Sequence, residues 1–408
     1  MIKKWMQSIG PGPLIAAAFI GPGTVTVCTL AGADFGYALI WAMLISVVAT
    51  VVLQEMSARL GIVSQRGLSE VIKSEIKNTF FKRITILLII SAIVIGNAAY
   101  EAGNITGAVL GLESIFGNHI FELGSVSLNY FSVFIGFLAF LLLYFGNYKM
   151  LEKVLISLVI LMSIAFVSTA IITKPDLTSI AKGIFSFKAP KGSLLTIIAL
   201  IGTTVVPYNI FLHSALVKEK WKNAKDLKLA RRDTIIAIVL GGFVSMSIII
   251  CAATINVNEL NSASDLALAL EPLFGDNAKY LLSIGLFSAG ITSAVTAPLA
   301  AAYVATGCLG WSTNLNTKRF RLIWIVVLLL GVIFSSTSIK PILIIKFAQI
   351  ANGLLLPIVA ILLLWIMNKS SILGKHKNTL FNNSISFIIV IMTVFVGLKG
   401  ILKVLSLI

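Results

Sequence analysis

The stretch LIAAAFIGPGTVTVCTL (residues 14–30) decides the fold, because a Gly-Pro-Gly sequence interrupts an otherwise apolar segment. Proline removes a backbone hydrogen-bond donor and clashes with the preceding helical turn, so a helix cannot run unchanged through Pro22. An apolar segment of this kind is typical of a transmembrane helix. The sequence therefore predicts a membrane-spanning helix that is broken at Gly21–Thr24.

A second interruption of the same kind lies in LIGTTVVPYNIFLHSAL (residues 200–216), where Pro207 follows two valines. Freed backbone groups at membrane depth are tolerated only where protein buries them or where they line a cavity. One proline kink would carry little weight, since kinks occur in many membrane helices. The matched pair predicts a binding site at the two breaks, Gly21–Thr24 and Val205–Asn209.

The composition of the whole chain supports a membrane location. Of the 408 residues, 58% are hydrophobic and only 12% are charged, which is too apolar for a soluble domain. Hydropathy over windows of about 19 residues predicts about eleven spans. They lie near 12–36, 38–58, 84–112, 126–147, 150–173, 194–217, 233–256, 279–309, 322–339, 342–367 and 385–405.

The two breaks fall in the first and sixth spans, five spans apart. Such matching interruptions indicate two five-helix repeats of inverted topology with a central site between them. We therefore predict an all-α membrane protein with a single transmembrane domain over residues 1–408. Its repeats cover approximately 10–173 and 194–367, its helices 1 and 6 are discontinuous, and an extra helix occupies 385–405.

The basic residues predict the orientation in the membrane. Most of the 32 Lys and Arg residues fall in alternate loops, at 3–4, 59–83, 149–153, 218–232, 318–321 and 369–377. We expect a protein of the cell membrane, that is, the inner or plasma membrane. Because cytoplasmic loops are enriched in Lys and Arg, its N-terminus is expected in the cytoplasm and its C-terminus outside. Topology explains the net charge of +16, so we expect no nucleic-acid partner.

Four segments of the chain share the pattern of one known family: the first break with its flanks (residues 10–33) and residues 53–63, 204–216 and 265–299. They resemble the natural-resistance-associated macrophage protein (NRAMP) family of proton-coupled divalent-metal transporters, and the resemblance covers most of the chain. It implies a LeuT-type fold and secondary active transport by alternating access. It also implies divalent metal cations as substrates.

The chain departs from the family pattern at the residues expected to bind metal. The family has Asp-Pro-Gly-Asn where this chain has Gly21-Pro22-Gly23-Thr24, and Met-Pro-His-Asn where it has Val206-Pro207-Tyr208-Asn209. The carboxylate and the thioether are therefore absent, and a thioether is the soft ligand that favours transition metals. We assign no metal ligand from the sequence.

The candidate site residues follow from the breaks and from the resemblance. The substrate-binding set is Gly21, Thr24, Thr203, Val206, Tyr208, Asn209 and Gln349. The proton or ion pathway set is Glu101, Asn104, His213 and Lys346. Glu101 matches a family aspartate, whereas Asn104 replaces a glutamate that the resemblance places on the proton route. Glu101 and Lys346 are charges within spans, for which either a mutual ion pair or a water-facing position is expected.

Three functions stay open at this point. The resemblance implies metal transport, whereas a site without an anionic ligand, facing the positive ends of two half-helices, suits a small anion or a neutral polar solute better. A non-transporting membrane sensor is the third, although it would need a soluble output domain that the 408 residues leave no room for. No catalytic motif and no P-loop indicates an enzyme or an ATP-driven pump.

The partners expected are the lipid bilayer and the transported solute or ion. No cofactor is expected beyond a coupling ion, H⁺ or Na⁺, and the sequence does not indicate an oligomeric state. Cys28, Cys251 and Cys308 lie in apolar segments without a CxxC pair, so neither a disulfide framework nor a zinc site is expected.

The charge distribution predicts the outcome of cysteine labelling in sealed, right-side-out cells. A membrane-impermeant reagent should label single cysteines placed in 115–125 and 258–276 but not in 64–82 or 219–230, because the latter loops carry the cytoplasmic excess of basic residues. Labelling within 219–230 would contradict the orientation.

Overall fold

The computed structural model describes residues 20–117, 120–123, 126–146, 149–254, 260–337 and 339–404. Within these ranges the first half of the chain forms α1 (Pro22–Phe35), α2 (Ile40–Ser64), α3 (Leu68–Glu75), α4 (Thr79–Phe116), β1 (Ile120–Leu123), β2 (Val126–Asn129), α5 (Tyr130–Phe145), α6 (Lys149–Ile172) and α7 (Leu177–Phe185). The part of the first predicted span before Ile20 lies outside the described residues, as do Lys3 and Lys4.

The second half of the chain is helical throughout its described elements. It forms α8 (Leu194–Thr204), α9 (Pro207–Lys220), α10 (Leu227–Ala252), α11 (Ala263–Ala267), α12 (Glu271–Phe274), α13 (Ala278–Leu309), α14 (Lys318–Ser335), α15 (Pro341–Met367), α16 (Ser370–Leu373) and α17 (Leu380–Val404). Short 3₁₀ turns lie at Gly36–Leu39, Ala224–Asp226, Leu268–Leu270, Gly275–Asn277 and Gly374–His376.

Each predicted span contains helix, in the predicted order. Eight helical runs of the described chain are long and apolar enough to cross a membrane, and one of them, Pro22–Ser64, contains the second predicted span and the helical part of the first that the structure describes. The 16-residue α5 is shorter, and the first turn of α14 contains basic residues. The remaining spans are α4, α6, α8 with α9, α10, α13, α15 and α17.

Two local features differ from the expected all-helical pattern. A small antiparallel hairpin, in which Ile120 is paired with Asn129, precedes α5. The span predicted from residue 126 therefore becomes helical only at Tyr130. The reason is a cap: the Asn129 side chain accepts hydrogen bonds from the backbone N–H groups of Phe131 and Ser132 and so fixes the helix start.

The helices that follow the two prolines begin earlier than predicted. α1 begins at Pro22 with Gly21 as its N-cap, and α9 begins at Pro207 with Val206 as its N-cap. Proline suits the first turn of a helix, where its missing N–H would have no partner anyway. The residues Thr24, Tyr208 and Asn209, predicted to lie in the interruptions, are thus placed in first helical turns.

Glycines allow the helices around the breaks to approach closely. A Cβ atom at Gly107 of α4 would overlap the Pro22 ring, and one at Gly202 of α8 would overlap the carbonyl oxygen of Gln349 on α15. Small residues at such crossings are the usual means by which membrane helices pack. The breaks are therefore held between α4 on one side and α15 on the other.

The Gly202 crossing predicts a difference between two chemically identical substitutions. Gly202→Ala should lower the free energy of unfolding by about 1–3 kcal/mol, because backbone at a helix crossing cannot move aside cheaply. The control is Gly397→Ala on α17, whose added Cβ would lie 3.3 Å from Pro357 Cγ. Thermal unfolding of the two variants in detergent measures the difference, and equal stabilities would contradict the tight crossing.

Candidate functional site

The two breaks meet through a buried pair of hydroxyl groups. Thr24 Oγ1 of α1 lies 2.7 Å from Thr203 Oγ1 of α8, and both side chains are fully buried. Both residues belong to the predicted substrate-binding set. The structure therefore brings the two halves of the predicted site into direct contact.

Gln349 joins the two breaks from the side of α15. Its side-chain amide lies so close to Gly23 that a Cβ atom there would overlap it, while its backbone carbonyl lies against Gly202. Gln349 is 1% exposed. The sequence-based placement of this residue at the site is consistent with the geometry, although its ligand role stays a prediction.

Tyr208 and Asn209 form the first turn of α9 and are buried. The ring of Tyr208 packs edge to face on the ring of Tyr100, with 5.4 Å between the ring centroids. Sequence reasoning missed Tyr100, although it directly precedes Glu101 in the same span. An aromatic pair therefore occupies one side of the break, next to Val206, which is also fully buried.

Two buried amide oxygens at the site have no hydrogen-bond partner, Asn209 Oδ1 and Gln349 Oε1. Buried polar atoms in folded proteins are nearly always paired, because an unpaired one costs about 1–3 kcal/mol. Both atoms accept hydrogen bonds or coordinate cations. A ligand or water that donates to them would remove this cost.

Glu101 forms part of a separate pair on α4. Asn104 Nδ2 donates a 3.3 Å hydrogen bond to Glu101 Oε2, whereas Glu101 Oε1 has no hydrogen-bond partner. Glu101 is fully buried, and its Cβ and Cγ atoms lie against Gly331 of α14, where an added Cβ would overlap Cγ. Glu101 and Asn104, both predicted for the ion pathway, are thus neighbours at a contact between α4 and α14.

The expected ion pair between Glu101 and Lys346 is not among the ion pairs of the described residues. The reason is a difference in burial: Glu101 is fully buried beside Gly331 of α14, whereas Lys346 on α15 is partly exposed. The pairing alternative is therefore wrong, and a partly water-facing Lys346 agrees with the structure.

His213 lies one helical turn beyond Asn209 and is fully buried. Its Nδ1 atom lies 2.8 Å from Gln54 Oε1 of α2, and since an amide oxygen can only accept, Nδ1 carries the proton and donates. His213 Nε2 has no hydrogen-bond partner. His213 thus has a partner on α2, Gln54, that sequence reasoning did not assign to the site.

Gln54 belongs to a polar stripe on α2 that faces α8 and α9. The hydroxyl of Ser46 hydrogen-bonds that of Thr204, and Ser57 donates to the carbonyl of Ile210. Thr50 completes the stripe, whose four positions recur at the spacing of one helix face. This spacing within an apolar span was the sequence signal that could have found it.

The described part of the chain contains no group of three or more His, Cys, Asp or Glu side chains arranged to hold a metal ion. The three cysteines are free and buried. Any metal at the breaks would therefore depend on hydroxyl, amide and backbone oxygens.

A polytopic helical protein in which α1 and α9 begin at prolines beside a buried hydroxyl pair has the arrangement of the LeuT-type fold. The family model "Natural resistance-associated macrophage protein-like" matches residues 12–403. The chain belongs to this Nramp family. Its relatives are transporters, and the predictions of a multi-pass membrane protein that is not an enzyme are confirmed.

Individual relatives resemble the chain in sequence, and solved structures resemble it in fold. The chain is 26% identical to the divalent metal cation transporter MntH of Staphylococcus saprophyticus, over 95% of this chain and 90% of the relative. The Eremococcus coleocola manganese transporter superposes with a TM-score of 0.76 at 21% identity, covering 97% of this chain and 86% of that one. MhsT, solved with L-phenylalanine, superposes with a TM-score of 0.58 at 15% identity, covering 95% of this chain and 98% of that one.

The contact between the breaks predicts energetic coupling. Thr24→Val and Thr203→Val remove the same hydrogen bond, so the double variant should be more stable than the sum of the single losses predicts, by about 0.5–1.5 kcal/mol. Combining Thr24→Val with Thr169→Val on α6, where the Thr169 hydroxyl bonds only locally to Ala165, should be additive. Thermal unfolding in detergent measures both cycles, and additivity in the first would contradict the coupling.

Proposed function

We propose that the chain is a secondary active transporter that works by alternating access and carries a divalent cation together with part of its water shell. Three relationships support the substrate class: the Nramp family, the relatives named divalent metal cation transporters, and the solved structure named a manganese transporter. The site residues set how such a cation would be held.

The two unpartnered oxygens, Asn209 Oδ1 and Gln349 Oε1, carry the proposal. Water bound to a cation directs its hydrogens outward and donates hydrogen bonds, so acceptor oxygens suit a hydrated cation. The first turns of α1 and α9 contain no acidic residue. Complete dehydration of a dication without a carboxylate would be too costly, whereas a retained water shell avoids most of that cost.

The same residues set the expected selectivity. Val206 supplies no soft ligand, so the site has no means of preferring transition metals over hard cations such as Mg²⁺. The N-terminal ends of α1 and α9, which begin at the two prolines, add partial positive charge and weaken cation binding further. We therefore propose low affinity and weak discrimination among divalent cations.

A small anion or a neutral polar solute is the second candidate. The observation in its favour is the pair of half-helix N-termini without a neighbouring acidic side chain in the first turn, since such ends attract negative charge. This candidate leaves the two acceptor oxygens without a role unless the solute itself donates hydrogen bonds.

The same proposal includes the orientation of the chain in the membrane, the two inverted repeats, and the coupling of transport to a second ion. The cytoplasmic N-terminus rests on the basic loops, and the repeats over 10–173 and 194–367 rest on the matching breaks. Glu101 is the candidate proton carrier because it is a buried carboxylate, while Asn104 cannot bind a proton where the family has glutamate. H⁺ and Na⁺ both stay candidates as the coupling ion, with His213 as a further titratable group.

Uptake into proteoliposomes tests the roles of the two amides. Asn209→Ala and Gln349→Ala should lower Mg²⁺ and Mn²⁺ uptake at least about tenfold, since each removes an acceptor at the breaks worth about 1.4 kcal/mol or more. Asn368→Ala, at the exposed end of α15, is the matched control and should transport normally. Normal cation uptake by both site variants would place the site elsewhere, and uptake of anions instead would favour the second candidate.

Calorimetry with Mn²⁺ tests the ligand chemistry directly. The unmodified chain should bind Mn²⁺ more weakly than about millimolar, because no carboxylate or thioether lies at the breaks. The triple variant Gly21→Asp, Thr24→Asn and Val206→Met should bind Mn²⁺ measurably and lose native transport. Micromolar binding by the unmodified chain would reject this reading of the site and leave a family-type metal site in its place.

A further inference from the structure

An apolar groove of about 300 Å³ lies away from the breaks, between α2, α7 and α17. Its lining includes Leu44 and Val48 of α2, Ile184 of α7, and Ile388 and Met392 of α17. Val48 and Ile388 are 51% and 57% exposed. Because α2 and α17 lie in candidate membrane spans, the groove between them opens toward the bilayer. Its volume falls at the lower end of ligand pockets, about 300–1,000 Å³.

The groove is preformed by contacts that fix α7 against α2. The indole Nε1 of Trp41 donates a 2.9 Å hydrogen bond to the carbonyl of Lys188, and the Trp41 and Phe187 rings are 5.9 Å apart. Gly183 of α7 lies directly on the carbonyl of Tyr37, where any Cβ would overlap it. A site whose walls are already fixed loses little freedom when a ligand binds.

Positive charge is concentrated at the α7 end of the groove. Lys182 and Lys188 are exposed, and each is one or two positions from a lining residue, Ile184 or Phe187. The single acidic residue of residues 174–191, Asp176, accepts hydrogen bonds from two backbone N–H groups at the start of α7. Loops on this side of the protein are otherwise poor in basic residues, so the positive-inside bias does not account for the cluster.

We infer that this groove binds one anionic phospholipid, with an acyl chain between α2 and α17 and the phosphate near Lys182 and Lys188. An apolar channel that ends in exposed lysines matches a molecule with an apolar tail and a negatively charged head. A neutral apolar solute would leave the lysines without a role, and a free anion would leave the groove without one. With the proposed orientation, the phosphate lies in the outer leaflet of the membrane. The inference itself does not depend on the transported substrate.

Native mass spectrometry of the purified full chain tests the site. Phosphatidylglycerol should remain bound in preference to phosphatidylcholine with the same acyl chains. Lys182→Gln and Lys188→Gln should each weaken phosphatidylglycerol binding by about fivefold and leave phosphatidylcholine binding unchanged, because a basic side chain near an anionic lipid contributes about that factor. Lys279→Gln, which changes another basic residue of the same side of the protein, is the charge control and should have no effect.

A tryptophan side chain that fills the groove gives an independent test of lipid binding. Val48→Trp should abolish the preferential retention, whereas Leu329→Trp on the exposed face of α14 should not. Equal retention of the two lipids would overturn the inference, as would an equal loss in the control variants. Competition by inorganic phosphate at the lipid's own concentration would mean a simple anion site, and a dimer that Val48→Trp dissociates would mean a contact between copies. If Val48→Trp fails to fold, the two lysine variants still decide the question.

Discussion

The structure depends on one constraint: backbone groups at membrane depth must find partners inside the protein. Pro22 and Pro207 each lack a backbone donor, and the structure accommodates both by beginning a helix at the proline. These helices need close neighbours, which explains the glycines at 107 and 202. The polar centre at Thr24 and Thr203 then lies where α1 begins and α8 ends.

Much of this architecture could be predicted, because the bilayer simplifies the pattern of a sequence. Span length and apolar character locate the helices, and the paired prolines locate the breaks. The extent of each break could not be predicted, since it depends on whether the residues after proline join a new helical turn. Here Thr24, Tyr208 and Asn209 do so, because proline fits the first turn of a helix and those residues then pack against neighbouring helices.

Contacts between side chains on different spans were the least predictable part of the site. Glu101 and Lys346 are both charges within spans. The orientation of α4 and α15 in the packed bundle decides that Glu101 is fully buried and that Lys346 is partly exposed. The same limitation hid Tyr100 and Gln54, which become visible only when α4 and α2 are set against α9. A sequence gives the period of a helix face, but the packing of all helices together sets which face meets which.

In the proposed function, the water shell of the cation takes the place of ligands that the protein itself would otherwise supply. In a site with a carboxylate and a thioether, the protein replaces the water around the ion, and selectivity follows from the protein atoms. At Gly21 and Val206 this chain offers neither group, while Asn209 and Gln349 still present acceptor oxygens. Such a site can bind the water shell instead of the bare ion. The discrimination among cations then falls to the energy of the retained shell, so a site built this way exchanges tight binding for tolerance of ions that hold their water strongly.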